Sequence, residues 1–291
     1  MPATALSGIL LRVPLHKVSL LLVALGLFAA LTVAPAAGAA ISGKRAKAFA
    51  TEIAKLGPRV AGSTVERKAG AMVAAELAEQ GYRVRRQAVA LPEGGRSLNV
   101  VGRSPGPLRV IVVAHLDGVS AGPAANDNAS GVAVLLELAR ALKGERGLLL
   151  AAVGAEERAD TGSSIHLGSA RLARGLAPQI KARVEFALSL DMVGVGARLA
   201  VRGIETEANG SSIQLLDAIR SSGRQARYEP DSGVSDHVEL TRAGIPATWL
   251  QYRFDEACWH QACDTAERLK SWKLRAAGRV ALRAVRTALD G

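Results

Sequence analysis

Leu108-Arg109-Val110-Ile111-Val112-Val113-Ala114-His115-Leu116-Asp117 begins as a short β-branched run and stops at a histidine with a carboxylate two residues on. A run of this kind has the character of a strand buried on both faces, as in a parallel sheet. Downstream, Ala129 to Leu142 shows helical spacing of apolar residues, Gly147 to Val153 is a second apolar strand, and Gly162 to Leu172 reads as the next helix. Val184 to Leu190, Leu199 to Val201 and Ile245 to Gln251 are three further strand candidates, with helices expected around Ser211 to Arg220 and Lys270 to Ala288. Upstream, helical periodicity from Ala46 to Gln80 is broken by Leu56-Gly57-Pro58-Arg59 and Ala61-Gly62-Ser63, which read as a loop between two helices. The alternation predicts an α/β fold with a mainly parallel, mixed central sheet covered by helices on both faces.

At the amino end, Arg12, His16 and Lys17 precede an apolar run from Val18 to Val33, and Ala37-Gly38-Ala39 supplies small residues for cleavage. Residues 1–39 are expected to be a signal peptide, the alternative being an uncleaved anchor. Residues 40–291 then form a single domain, exported to a secreted or periplasmic location, with no stable membrane insertion after cleavage. Loss of Arg12 and Lys17 lowers the formal net charge from +11 to +9. The excess is spread over Arg-rich helices such as the one carrying Arg275, Arg279 and Arg283, without aromatic residues interleaved for stacking on bases. A solvated helix face is the expected reading, and nucleic acid is not an expected partner. The only cysteines, Cys258 and Cys263, flank His260, and in an oxidising compartment a bridge would close a small loop around it. Two unpaired thiols are the alternative.

The chemically suggestive residues lie where strands end, the place at which such sheets collect functional groups. His115 ends one strand, and Asp117 could orient its second ring nitrogen; alone, the pair is equally a capping or loop feature. Asp127, in Asn126-Asp127-Asn128-Ala129-Ser130-Gly131, could cap the helix that follows or bind a cation. Glu156-Glu157 after a buried strand places two carboxylates side by side, which calls for a compensating cation or solvent. With one glutamate on a metal, the other could act as a general base. Asp191 ends an apolar strand, where an unpaired carboxylate is costly to bury. His260 sits in a loop with Trp259 and Asp264. Three ligand carboxylates and a bridging hydroxide would balance two divalent cations, and His, Asp and Glu ligation suits zinc.

These motifs resemble the co-catalytic zinc exopeptidases, which include secreted bacterial leucine-type aminopeptidases and, more distantly, glutamate carboxypeptidases and glutaminyl cyclases. The resemblance also takes in Leu56 to Ser63, Gly162-Ser163, Leu190 to Gly194, Ser235-Asp236-His237 and Gly244-Ile245-Pro246. It implies two zinc ions, one on His115, Asp127 and Asp191, the other on Glu157 and His260, with Asp127 bridging. It implies Glu156 as general base, Asp117 and Asp264 as carboxylates behind the ligands, and Ser235-Asp236-His237 as a support for the pocket. The expected reaction is removal of N-terminal residues from peptide substrates by a monomer. Trp259 stands where such aminopeptidases often have a tyrosine on the tetrahedral intermediate; an indole can donate a hydrogen bond to substrate or oxyanion but cannot ionise. Tryptophan there is also similar to glutaminyl cyclases, and that acyl transfer is the alternative, with carboxypeptidase or dipeptidase action on the same fold. Arg158 adjoins the glutamate pair but is expected to point outward. With no arginine assigned to the pocket, aminopeptidase action is favoured.

Overall fold

Eight strands form one sheet in the order β1-β2-β4-β3-β5-β8-β6-β7. The computed structural model describes residues 1–2, 39–157, 166–253 and 256–291. The expected signal peptide therefore lies almost wholly outside the described residues, as do Arg158 and the expected helix start at Gly162. All the elements belong to one unit, Ala37–Gly291.

The centre of the sheet is β4 (Leu148–Val153), β3 (Val110–His115), β5 (Phe186–Leu190) and β8 (Ala247–Arg253), running parallel, with every residue of the first three buried. Their side chains alternate between two cores. Val110, Val112 and Ala114 face α1 (Gly43–Lys55), α2 (Thr64–Glu79), α3 (Ser130–Ala141) and α8 (Ser271–Asp290). Ile111 and Val113 face Leu172 of α4 (Leu167–Arg174) and Leu240 of α7 (His237–Arg242). Being apolar on both faces is what makes these strands continuous hydrophobic runs. Each fully buried Leu, Ile or Val contributes about 1.5–3 kcal/mol.

Besides the three-residue β7 (Tyr228–Pro230), two strands escape the sequence reading, β1 (Arg83–Ala90) and β2 (Arg96–Arg103), which pair antiparallel with each other and, through β2, with β4. Their arginines, Gln87 and Asn99 hide the alternation. The remaining elements are α5 (Pro178–Lys181), β6 (Arg198–Gly203), α6 (Gly210–Arg220) and β7 (Tyr228–Pro230); β6 is antiparallel to β8 and parallel to β7. The sheet is thus mixed, parallel at its centre, with helices on both faces as expected. Among the described residues no helix is long and apolar enough to cross a membrane.

Asn99 on β2 links the loop after β4 to the start of α4. Its side-chain oxygen accepts from the Gly154 amide at 3.1 Å and its amide nitrogen donates to the Gly168 carbonyl at 2.9 Å. The two backbones approach so closely that a Cβ at Gly168 would lie 2.2 Å from the Gly154 carbonyl oxygen and 2.6 Å from the Asn99 side chain. Neither can withdraw without breaking the staple. Gly168→Ala should therefore destabilise by about 1–3 kcal/mol, at roughly 2–4 °C per kcal/mol, read as the thermal midpoint; an unchanged midpoint would mean that this contact yields freely.

Candidate metal centre

The carboxyl ends of the parallel strands open on one place. His115 is the last residue of β3, Asp191 follows β5 directly, and Glu156 and Glu157 follow β4. Asp127 lies in a tight turn, Ala125–Ala129, that leads into α3. His260 lies in the loop after β8, where Cys258 and Cys263 are joined by a disulfide. Ala155, Met192 and His260 hold φ of 53–56°, a region that side chains other than glycine rarely occupy, and each is a candidate ligand or adjoins one.

The side chains meet in two groups that share Asp127. On one side, His115 Nε2 lies 3.0 Å from Asp127 Oδ1 and 3.4 Å from Asp191 Oδ1. On the other, His260 Nε2 lies 3.4 Å from Asp127 Oδ2 and 2.9 Å from Glu157 Oε2. Each group, His115–Asp127–Asp191 and Asp127–Glu157–His260, offers three ligand atoms within 4.8 Å of one another, as do His115, Glu156 and Glu157.

Backbone amides hold the carboxylate-bearing segments. Asp264 accepts from the Asn126 and Asp127 amides at 2.8 and 3.0 Å, and Asp117 accepts from the Glu156 and Glu157 amides at 3.1 and 3.0 Å. This changes the part expected of Asp117, whose oxygen lies 3.9 Å from His115 Nδ1, beyond hydrogen-bond range. Its lone pairs go to the amides, and His115 Nδ1 has no hydrogen-bond partner among the described residues. Asn126 accepts from the Gly194 amide at 2.9 Å, Asn128 donates to the Leu190 carbonyl at 2.8 Å, and Ser235 donates to Asp191 Oδ2 at 2.9 Å. The turn before α3 is thereby fastened to the end of β5. Arg59, wholly buried, donates to the carbonyls of Leu116, Pro123 and Ala124 at 2.7–2.8 Å and fixes the loop between His115 and Asp127.

Burial dominates the electrostatics. It pushes the Glu157 carboxyl up to about 7, reinforced by Asp127 and opposed by the histidines. Burial also holds Glu156 well above the carboxylate range, with His115 opposing and Glu157, Asp236 and Asp191 reinforcing. Desolvation lowers His260, but Asp127 and Glu157 outweigh it and bring the imidazole up to about 10. Asp127, between two imidazoles, is held below its usual value despite burial. Three buried carboxylates and a fourth, Glu157, that is nearly so, with two imidazoles, are a set that protons or metal cations must balance. Asp191 Oδ1, buried without a hydrogen-bond partner among the described residues, points the same way. Nitrogen and oxygen donors in this proportion fit divalent cations of the zinc type.

A cavity of about 620 Å³ opens beside the cluster. Trp259, 47% exposed, stands at its rim with its ring tilted on His260 at 4.3 Å between centroids. Three ionisable lining residues were not foreseen. His166, buried, sets Nε2 3.5 Å from Glu156 Oε1, and burial lowers its imidazole to about 4, so it is neutral. No pattern around His166 distinguishes it from a helix residue. Arg202 and Arg253, on β6 and β8, also line the cavity; strand alternation past Leu199 would have set Arg202 on one face, but not shown where that face looks. Of the Ser235-Asp236-His237 run, Ser235 holds Asp191, while His237 lies 3.0 Å from Asp231 and stacks on Trp249.

Comparison with known proteins agrees with this architecture. The pattern of Peptidase family M28 matches residues 99–285. Aminopeptidase YwaD of Bacillus subtilis (strain 168) is 31% identical over 206 residues, 65% of this chain and 44% of that protein. The uncharacterized protein YfbL of Escherichia coli (strain K12) is 30% identical over 246 residues, 67% of this chain and 72% of that protein. The chain thus spans less than half the length of the Bacillus relative. BSAP, a zinc aminopeptidase from Bacillus subtilis, superposes with a TM-score of 0.78 at 20% identity, covering 86% of this chain and 95% of that one. Porphyromonas gingivalis glutaminyl cyclase does so at 0.75 and 23%, covering 85% and 98%. At these identities the structural likeness concerns the fold. The matched pattern takes in β3, the Asp127 turn, the Glu156-Glu157 loop, Asp191 and His260, and by that match the chain belongs to Peptidase family M28.

Proposed function

We propose that the chain is an exported metallo-aminopeptidase that removes N-terminal residues from peptides with two zinc ions. The observation that carries this reading is the pair of imidazole–carboxylate groups meeting on the two oxygens of Asp127, with Glu156 buried beside them at the mouth of a cavity. In this reading His115, Asp127 and Asp191 hold one ion, Glu157 and His260 the other, and Asp127 is shared. The ions, when bound, supply Lewis acidity toward a carbonyl oxygen and lower the pKa of water.

The chain's own groups supply the rest. Glu156 Oε takes the proton of the attacking water and returns it to the departing amine nitrogen; the burial that raises its pKa suits it to both steps. Neutral His166, 3.5 Å away, lies within reach to orient that carboxyl. Asp117 and Asp264 fix the backbone from which Glu156, Glu157 and Asp127 project. Trp259 contacts substrate at the rim, where its indole N–H can donate but not ionise.

The apolar stretch before Ala37-Gly38-Ala39, in residues 1–39, supports export, as does the Cys258–Cys263 disulfide, since such bonds persist in oxidising compartments. A glutaminyl cyclase-like transfer is the second reading, favoured by Trp259 and by the shared fold. The complete pair of donor groups weighs toward hydrolysis.

Purified protein should carry two equivalents of zinc by elemental analysis and cleave a free peptide but not its N-acetylated form. Full cleavage of the acetylated form would sink the aminopeptidase assignment. Glu156→Gln should keep both ions and lose about 10²–10⁴-fold in kcat; normal turnover would remove Glu156 from its assigned part. Asp264→Asn leaves one oxygen for two amides, so it should cost about 1–3 kcal/mol in chelator-treated protein. Equal stability of variant and wild type under urea would show that the Asn126 and Asp127 amides find other acceptors.

A further inference from the structure

Among the described residues, Arg202 carries a charge that no carboxylate meets in an ion pair. Strands β6 and β8 pair so that Arg202 lies opposite Trp249, Ala200 opposite Gln251 and Arg198 opposite Arg253, and all six therefore share one face of the sheet. The indole nitrogen of Trp249 donates to the Asp191 carbonyl at 3.3 Å, and the Arg202 guanidinium lies 4.4 Å from the Trp249 ring centroid. The guanidinium is thus one indole away from the candidate metal ligands, and it lines the same cavity. Its hydrogen bond to Gln251 Oε1 is a long one, 3.4 Å, and its Nε is buried without a partner among the described residues.

The carboxylates around Arg202 are engaged elsewhere. Glu229, beside it on β7, takes Arg198 at 2.7 Å and lies 3.8 Å from Arg253; Asp231 faces His237 at 3.0 Å. Among the described residues Arg202 makes no ion pair. Contact with an indole face compensates a guanidinium less well than a carboxylate does, and leaves the terminal Nη1 and Nη2 donors, save for the long Gln251 contact, for bidentate binding.

We propose that Arg202 binds a carboxylate of the substrate, so that the cavity selects peptides with an acidic side chain or a free terminal carboxylate beside the scissile amide. The selection rests on the peptidase reading; the binding of a carboxylate does not.

The test uses zinc-loaded full chain, as wild type, Arg202→Gln and Arg202→Lys, with thermal midpoints confirming that each variant is folded. Glutamyl and glutaminyl p-nitroanilides isolate the side-chain carboxylate, and Leu-Gly against Leu-Gly amide isolates the terminal one. In one pair the wild type should favour the acid about tenfold or more in kcat/KM. Arg202→Gln should bring that ratio near one, and Arg202→Lys should retain part of it. Calorimetric titration of the same pairs into Glu156→Gln protein, with and without Arg202→Gln, reads binding apart from turnover. A wild type that separates neither pair in either measurement, or an Arg202→Gln variant that keeps the preference, overturns the inference and leaves hydrolysis standing. Acid-selective binding that needs Arg202, in a protein that cleaves no peptide, upholds the arginine and removes the peptidase reading.

Discussion

Everything at the carboxyl ends of the central strands answers to one electrostatic constraint, the crowding of buried Asp127, Glu156 and Asp191 and the largely covered Glu157 around His115 and His260. Carboxylates taken from water repel one another and lose solvation together, so such a cluster persists only where positive charge and hydrogen-bond donors are built around it. The chain meets this in layers. His115 and His260 stand between the carboxylates, and Ser235 donates to Asp191. Behind them, Arg59 lies buried with Asp117, Asp264 and Asp127 among its electrostatic neighbours.

The outer layer shows why the sheet has to be so regular. Asp117 and Asp264 each bind two successive amides, and each thereby sets the direction in which a pair of side chains leaves the backbone. That precision depends on β3 and β4 being held in register from Val110 opposite Leu148 to His115 opposite Val153, and on Asn99 anchoring the loop beyond β4. Burial of Val, Ile and Leu on both faces of these strands supplies the rigidity. The polar cluster inherits it.

Much of this was legible in the sequence, and the reasons are specific. The continuous runs ending at His115, before Glu156 and at Asp191 announce buried parallel strands because only a doubly covered strand is apolar at every position. The candidate ligands then stand out as polar residues at the ends of apolar runs. Asp117 was seen beside His115, but not its hold on the Glu156 and Glu157 amides, since a spacing of two residues says nothing about which lone pairs reach which donors. His166 and Arg202 were not seen at all. Their proximity to the cluster comes from the fold of α4 against Gly154 and from the pairing of β6 with β8, contacts between distant segments that no local pattern records.

Two of the strands that local pattern missed, β1 and β7, share a further property. β1 is one edge of the sheet, and it carries Arg83, Arg85 and Arg86, all outward-facing or partly so, while the opposite edge, β7, is three residues long and ends in Pro230, which has no N–H to offer. An open edge invites another chain to add a strand; charge repels a like edge, and proline withholds a rung of the ladder. The same substitutions that blur these strands to a reader of the sequence also keep one molecule's sheet from continuing into the next, so part of the chain's basic excess serves colloidal solubility.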